Sequence, residues 1–388
     1  MSLDIQFSDR LQELPPYLFV EIDKAKRAAK AAGRDIIDLG VGDPDLPTPA
    51  HIIAALKKAS DNPENHHYAF DAGVTELRAA IAQWFQRRFA VSLDISSEIY
   101  PLIGTKEGLG HLPLGIVNPK DKVILTDPAY PAYRAAIIFA GGKIVSVPLK
   151  EGHDFLPDLK RIEEIKDPKV IYVNYPNNPT AATATKEFYT DLVKLANDKG
   201  IIIVSDMAYS EIYYDGQKPV SILEIEGAKD VAIEFHSFSK TYNMAGWRIG
   251  WACGNSKLVA ALAKVKSNYD SGIFQAIQVA AIEALATPQQ DLDDLRNIYQ
   301  ERRDCLIHGL RSVGWKIPAP KAAFYIWAKI PRKFTDSMET AKFLLEHTDI
   351  IVTPGVGFGQ AGEGYIRMSL TMPKDRLAEA VERLRKVL

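Results

Sequence analysis

The sequence predicts an α/β protein built on a mostly parallel sheet and joined to a smaller α+β unit, and three observations carry that expectation. Between about residues 100 and 255, short β-branched runs alternate with amphipathic stretches, the order of strand and crossover helix. Those runs are apolar throughout instead of alternating, which is how strands read when helices cover both faces of a parallel sheet. Beyond residue 285 the texture changes to long charged helical stretches with few strands between them.

In chain order, the segment through Pro15-Pro16 and a helical stretch over 18–32 is too short to fold alone. It is expected to pack on the smaller unit or on a neighbouring chain. Strands follow at Val123-Ile124-Leu125-Thr126, Val170-Ile171-Tyr172-Val173, Ile201-Ile202-Ile203-Val204, Val231 to Phe235 and Ile249-Gly250-Trp251-Ala252. The last part reads as helices over 290–313, 337–347 and 374–387 with strands at Tyr325-Ile326-Trp327-Ala328 and Tyr365-Ile366-Arg367-Met368. These textures divide the chain into an N-terminal arm with part of the small domain (1–44), a large ligand-binding domain (45–285) and a small C-terminal domain (286–388).

Composition narrows the function classes. With 388 residues, 47% hydrophobic and 25% charged, the chain has ordinary globular usage, which excludes collagen-like, disordered and disulfide-scaffold classes. A formal charge of −2 supplies no broad basic footprint for nucleic acid or anionic membrane, so small molecules are the expected partners. Two cysteines, Cys253 and Cys305, form neither a metal cage nor a disulfide framework, and His66-His67 lack ligand partners at useful spacing, so no metal is expected. The start Met1-Ser2-Leu3-Asp4 has no basic, apolar leader, and no run approaches the roughly 20 apolar residues that span a bilayer. A cytoplasmic protein is the expectation.

The stretch Ser237-Phe238-Ser239-Lys240-Thr241-Tyr242-Asn243-Met244-Ala245-Gly246-Trp247-Arg248 follows an apolar strand, so its side chains fall at the carboxyl edge of the sheet, where open α/β folds bind ligands. A lysine there, flanked by hydroxyls and followed by an arginine, suits a Schiff-base amine beside an anion clamp. Strand 201–204 leads to Asp206 and Tyr209, and strand 170–173 leads to Asn174-Tyr175-Pro176-Asn177-Asn178-Pro179. The same edge therefore receives a carboxylate, a phenol and several amides. A pyridine cofactor acting as an electron sink needs a carboxylate at its ring nitrogen, donors to its ring oxygen, a flat side chain on one face, and cations with free N–H groups for its phosphate. Gly104-Thr105-Lys106-Glu107-Gly108, opening a helical stretch, offers the last of these.

Taken together these motifs resemble the class I/II aminotransferases, fold-type I pyridoxal-phosphate-dependent transferases, from end to end. The resemblance implies a large domain with a mostly parallel seven-stranded sheet, a smaller α+β domain and a homodimer with shared active sites. It also implies pyridoxal 5'-phosphate (PLP) held by Lys240, with Asp206 on the ring nitrogen and Asn178 and Tyr209 on the ring oxygen. By the same resemblance Tyr130 in Asp127-Pro128-Ala129-Tyr130-Pro131 stacks on the ring. Thr105, Lys106, Ser237 and Arg248 hold the phosphate, which Tyr68 reaches from the second subunit, and Asn178-Pro179 is a cis peptide. Arg367 clamps the substrate α-carboxylate, in a site that includes Asn178, Gly40 and Val41. Lys240, Asp206 and Tyr209 are the expected catalytic residues, and amino acids and 2-oxo acids the expected substrates.

Within that family the phrases Leu14-Pro15-Pro16-Tyr17-Leu18-Phe19, Leu39-Gly40-Val41-Gly42-Asp43-Pro44-Asp45 and Asp270-Ser271-Gly272-Ile273-Phe274-Gln275 are most similar to bacterial LL-diaminopimelate aminotransferases. That group exchanges an amino group between LL-2,6-diaminopimelate (tetrahydrodipicolinate) and 2-oxoglutarate/glutamate in lysine biosynthesis. A substrate with a distal ammonium and carboxylate asks for an acceptor and donors at its far end, for which Asp71, Lys106 and Tyr17 are the candidates. Lys266-Ser267-Asn268-Tyr269 carries no arginine for a distal carboxylate, which disfavours a dedicated aspartate enzyme and leaves a broad aspartate, alanine or aromatic transaminase as the alternative. The run Gly355-Val356-Gly357-Phe358-Gly359-Gln360-Ala361-Gly362 lacks the βαβ unit that a dinucleotide site needs and is expected to shape the loop leading to Arg367.

Overall fold

The computed structural model describes residues 3–15, 18–69 and 72–388. Among them twelve strands run in chain order: β1 (Ile37–Asp38), β2 (Ile99–Leu102), β3 (Lys122–Asp127), β4 (Lys143–Pro148), β5 (Pro168–Asn174), β6 (Ile202–Asp206), β7 (Ala232–Ser237), β8 (Gly250–Gly254), β9 (Tyr325–Lys329), β10 (Ile350–Ile351), β11 (Thr353–Pro354) and β12 (Tyr365–Ser369). The main sheet has seven strands in the order β2-β8-β7-β6-β5-β3-β4. From β4 to β7 the pairing is parallel, whereas β8 runs antiparallel to both β7 and β2.

The five strands expected in this region correspond to β3, β5, β6, β7 and β8. β2 and β4, which escape the sequence pattern, are the two edges of the sheet. β4 keeps part of its length exposed and so lacks a continuous apolar run. β2 contains Pro101, which cannot donate to a ladder and is tolerated at an edge.

Period-two alternation sends side chains of the central strands into two cores. Ile124, Ile171, Val173 and Ile203 join a core with Leu77, Ile81 and Phe85 of the helix Thr75–Phe89 and with Leu192 of the helix Lys186–Lys199. Val123, Leu125, Val170, Tyr172 and Val204 face the other way, onto Leu109 and Leu112 of the helix Thr105–Ile116 and Leu262 of the helix Ser256–Lys266. Both faces are therefore dry, as the unbroken apolar runs require.

A further core gathers Ile326 and Ala328 of β9, Ile366 and Met368 of β12, Leu306 and Leu310 of the helix Gln289–Ser312, and Leu377 and Leu384 of the helix Lys374–Arg385. Its sheet is antiparallel, ordered β11-β12-β9. The N-terminal segment comes back to this unit: β1 pairs in parallel with β10, and Ile22 and Ala29 of the helix Leu18–Ala31 pack with Ile36 and Ile351. The segment thus packs on the chain's own smaller unit, while Arg10 reaches the Phe139 carbonyl of the larger one. Among the described residues, no helix is long and apolar enough to cross a membrane.

Candidate active site

β5, β6 and β7 terminate side by side at Asn174, Asp206 and Ser237. Because they are parallel, their carboxyl ends share one edge, and there a cavity of about 460 Å³ opens. Its walls bring together Val41, Thr105, Lys106, Tyr130, Asn178, Asp206, Tyr209, Ser237, Lys240, Arg248 and Arg367, all named from the sequence as site residues. Gly40 lies alongside, its carbonyl accepting a bond from Arg367. Tyr68 stands apart from these walls with 75% of its surface exposed. Tyr17 and Asp71 lie outside the described residues.

Lys240 sits one helical turn after the end of β7, and its Nζ donates to the Gly42 carbonyl at 3.2 Å. Burial pushes its amine down to about 8, with Asp43 opposing and the Arg367 and Arg248 charges adding to the fall. The amine is still mostly protonated at neutral pH, but its neutral fraction there is far larger than that of an ordinary lysine.

Asp206 is buried at the base of the cavity, where desolvation raises its carboxyl while two donors counteract this. Tyr133 donates its hydroxyl to Oδ2 at 2.6 Å, and the Ala208 N–H donates to Oδ1 at 3.1 Å. Asn174 ties the two strand ends together, donating from Nδ2 to the Asp206 carbonyl at 2.8 Å while its Oδ1 accepts the Asn178 N–H at 2.8 Å. The Tyr209 hydroxyl lies 2.8 Å from that of Tyr325, and burial holds both phenols above their ordinary range. Asn178-Pro179 is cis, as the resemblance implied.

At the other end of the cavity, Thr105 and Lys106 open the helix Thr105–Ile116, whose first N–H groups have no partner within the helix. Gly104 precedes them at φ +76°, and a Cβ there would stand 2.5 Å from Arg248 Nη2. Only glycine lets that guanidinium approach the helix start. Hydroxyls of Thr105, Ser237 and Ser239 complete a patch suited to a phosphate, while Asp206 lies where a protonated ring nitrogen would be met. The residues present therefore fit PLP.

Arg367 is 1% exposed and lies between two rings, 4.2 Å from the Tyr325 centroid and 4.8 Å from that of Phe358. It donates to Asn178 Oδ1 at 2.7 Å and to the Gly40 carbonyl at 2.6 Å, and desolvation lowers its pKa. Fixed in this way, the planar fork is prepared for a carboxylate.

Several wall residues went unassigned from sequence: Tyr133, Asn174, Ser239, Gly42, Asp43 and Tyr325. Tyr133 was within reach, standing one turn after Tyr130 on the helix that Pro131 opens. Tyr325 carries no local signal, since it meets Tyr209 only through the tertiary fold. Elsewhere, Glu107, His111 and Asp270 converge in the one metal-like trio among the described residues, but the buried Lys266 ammonium pairs with both carboxylates.

Comparison with known proteins identifies the family. The family described as aminotransferase class I and II matches residues 34–384. An LL-diaminopimelate aminotransferase from Aquifex aeolicus is 53% identical over 98% of this chain and 99% of its own, and another from Moorella thermoacetica is 48% identical over 99% of each. Among solved structures, apo-BacF from Bacillus subtilis superposes with a TM-score of 0.95 at 38% identity, over 99% of this chain and 98% of that one. The Thermus thermophilus aspartate aminotransferase with maleate gives 0.92 at 32% identity, over 99% of this chain and 100% of that one. With a lysine, an aspartate and an arginine converging at the carboxyl edge of a seven-stranded sheet, and with relatives matching over nearly its full length, the chain belongs to the class I and II aminotransferases.

Proposed function

We propose that this aminotransferase uses PLP to exchange an amino group between LL-2,6-diaminopimelate (tetrahydrodipicolinate) and 2-oxoglutarate/glutamate in lysine biosynthesis. The observation that carries the chemistry is the Lys240 amine, buried at the strand ends and lowered to about 8. The substrate rests on relatives of that name at 48–53% identity over nearly the whole chain.

Bound at Lys240, PLP would supply an electron-withdrawing ring able to stabilise negative charge at the substrate Cα. Asp206 would hold the proton on the ring nitrogen, and the Tyr133 hydroxyl keeps that carboxylate in place. Asn178 and Tyr209 would serve the ring oxygen, Tyr130 would cover a ring face, and Thr105, Lys106, Ser237 and Arg248 would hold the phosphate. Arg367 would grip the α-carboxylate and so aim Cα–H at Lys240, whose neutral amine would take the proton from Cα and deliver it to the cofactor's C4′ carbon.

In the homodimer, the exposed Tyr68 phenol serves the neighbour's phosphate, and Asp71, Lys106 and Tyr17 meet the far end of the substrate. The division at 1–44, 45–285 and 286–388 is supported by the core built on β9, β12 and the last helices, which takes in Ile37 and Leu39 of the first segment and meets the large domain through Tyr209, Ile212 and Tyr214. The alternative, a broad aspartate, alanine or aromatic transaminase, draws on neighbours described as aspartate and aromatic aminotransferases at 32% and 30% identity.

Turnover of LL-diaminopimelate and of aspartate, each with 2-oxoglutarate, separates the two. Clear preference for the first is expected, and inactivity on it would remove the specific assignment. Tyr133→Phe should lower kcat by about tenfold, the scale of one hydrogen bond to a buried charge, without loss of cofactor. Steady-state kinetics together with the visible spectrum check this.

A further inference from the structure

Asp127 ends β3 beside the cavity yet is absent from its walls, and it is only 7% exposed. Its Oδ1 accepts the Ala361 N–H at 3.1 Å and its Oδ2 the Ser146 hydroxyl at 3.3 Å. Ala361 belongs to the glycine-rich run 355–362, folded here as two short turns, Gly355–Phe358 and Gln360–Gly362. Between them Gly359 takes φ +134°, and a Cβ at that position would stand 2.0 Å from Asp127 Oδ1. The carboxylate therefore fills the space that the missing side chain leaves. Two residues beyond Asp127, the Ala129 N–H donates to the Phe358 carbonyl at 2.8 Å. The end of β3 thus grips the run on both sides of Gly359, and Phe358 is the residue whose ring lies 4.8 Å from the Arg367 guanidinium.

We propose that Asp127 is a positioning residue for the carboxylate clamp: it seats the segment 355–362 on the main sheet so that Phe358 and Tyr325 hold Arg367 between them. The proposal rests on the assignment of Arg367 to the substrate α-carboxylate. A guanidinium with one face unsupported explores more rotamers, and the lost order is felt wherever a carboxylate binds, in the ground state and the transition state alike. The signature is a raised KM with kcat retained, the pattern of lost uniform binding. What the N–H groups of the run need is an acceptor of the right shape, which an asparagine amide oxygen also offers.

The test uses the PLP-loaded enzyme and two readouts: KM and kcat for LL-diaminopimelate, and Kd for maleate, a dicarboxylate that does not react, by calorimetry. Asp127→Ala should raise both KM and the maleate Kd about tenfold and leave kcat within about twofold, the scale expected for one lost charge-assisted bond. Asp127→Asn should restore both to within about threefold of the parent. Gly359→Ala, which retains the carboxylate but sets a methyl group against it, should reproduce the Asp127→Ala pattern, and it decides the matter should Asp127→Ala not fold. Unchanged maleate affinity in Asp127→Ala and Gly359→Ala, or an Asp127→Asn as impaired as the alanine variant, overturns the proposal. An Arg367→Lys control that binds maleate normally removes the Arg367 assignment and the proposal with it. A weakened Arg367→Lys beside an unaffected Asp127→Ala removes the proposal alone.

Discussion

Lys240→Ala should cost at least about 10⁴-fold in kcat and abolish the visible absorbance that reports PLP held covalently by the protein. Both losses come from one atom, since Nζ is at once the attachment point and the base at Cα. The fold should survive, because the substitution removes a buried ammonium whose solvation the native state sacrifices. Near-parent circular dichroism beside a colourless, inactive protein is the expected outcome, and a normal spectrum would remove the assignment. The lowered pKa has two further consequences with a definite sign. In protein stripped of cofactor the neutral fraction of Lys240 rises as pH passes through about 8, so uptake of PLP should accelerate up to that point and level off above it. Because the folded value lies below the ordinary 10.5, the unfolded chain binds more protons between the two, and the lysine's contribution to the stability of the stripped protein grows as pH rises from about 8 toward 10.5. Stopped-flow absorbance and denaturant titrations across that range are the measurements.

Asp206→Ala should lower kcat by about 10²- to 10³-fold, from the roughly 3–5 kcal/mol at stake when one partner of a buried ion pair is removed. Asp206→Asn should fare almost as badly, since the amide keeps the shape and loses the charge that holds a proton on the ring nitrogen. Tyr133 separates the two causes, because Tyr133→Phe removes only the 2.6 Å bond that orients the carboxylate. An asparagine variant with near-parent kcat would show that shape suffices and would overturn the charge argument. Single-turnover kinetics with the loaded variants isolate the chemical step.

The groups that bear chemistry were legible because they terminate apolar strands. Asp206 and Ser237 are the last residues of β6 and β7, Lys240 follows within a turn, and Asn178 follows β5 by four residues. A strand run that stops at a polar residue announces both the edge and its contents. The edge strands themselves were not legible: β4 is half solvated and β2 is interrupted by Pro101, so neither has the unbroken apolar run that marks a strand buried on both faces. Tyr325, Phe358 and Asp127 were invisible as site-builders for another reason. Each acts on a side chain of a different element, and no local pattern records such a meeting.

What the sequence alone determined is the order of buried strands and the identity of the groups delivered to their carboxyl ends, because hydrophobic periodicity is a local property of the chain. The tertiary structure decided how those groups are tuned. Arg367 meets Asn178 across 189 residues of chain, and it and Arg248 add to the burial that lowers Lys240. Desolvation and charge act through space, and their strength depends on what the rest of the fold packs around a group, which a linear pattern does not encode.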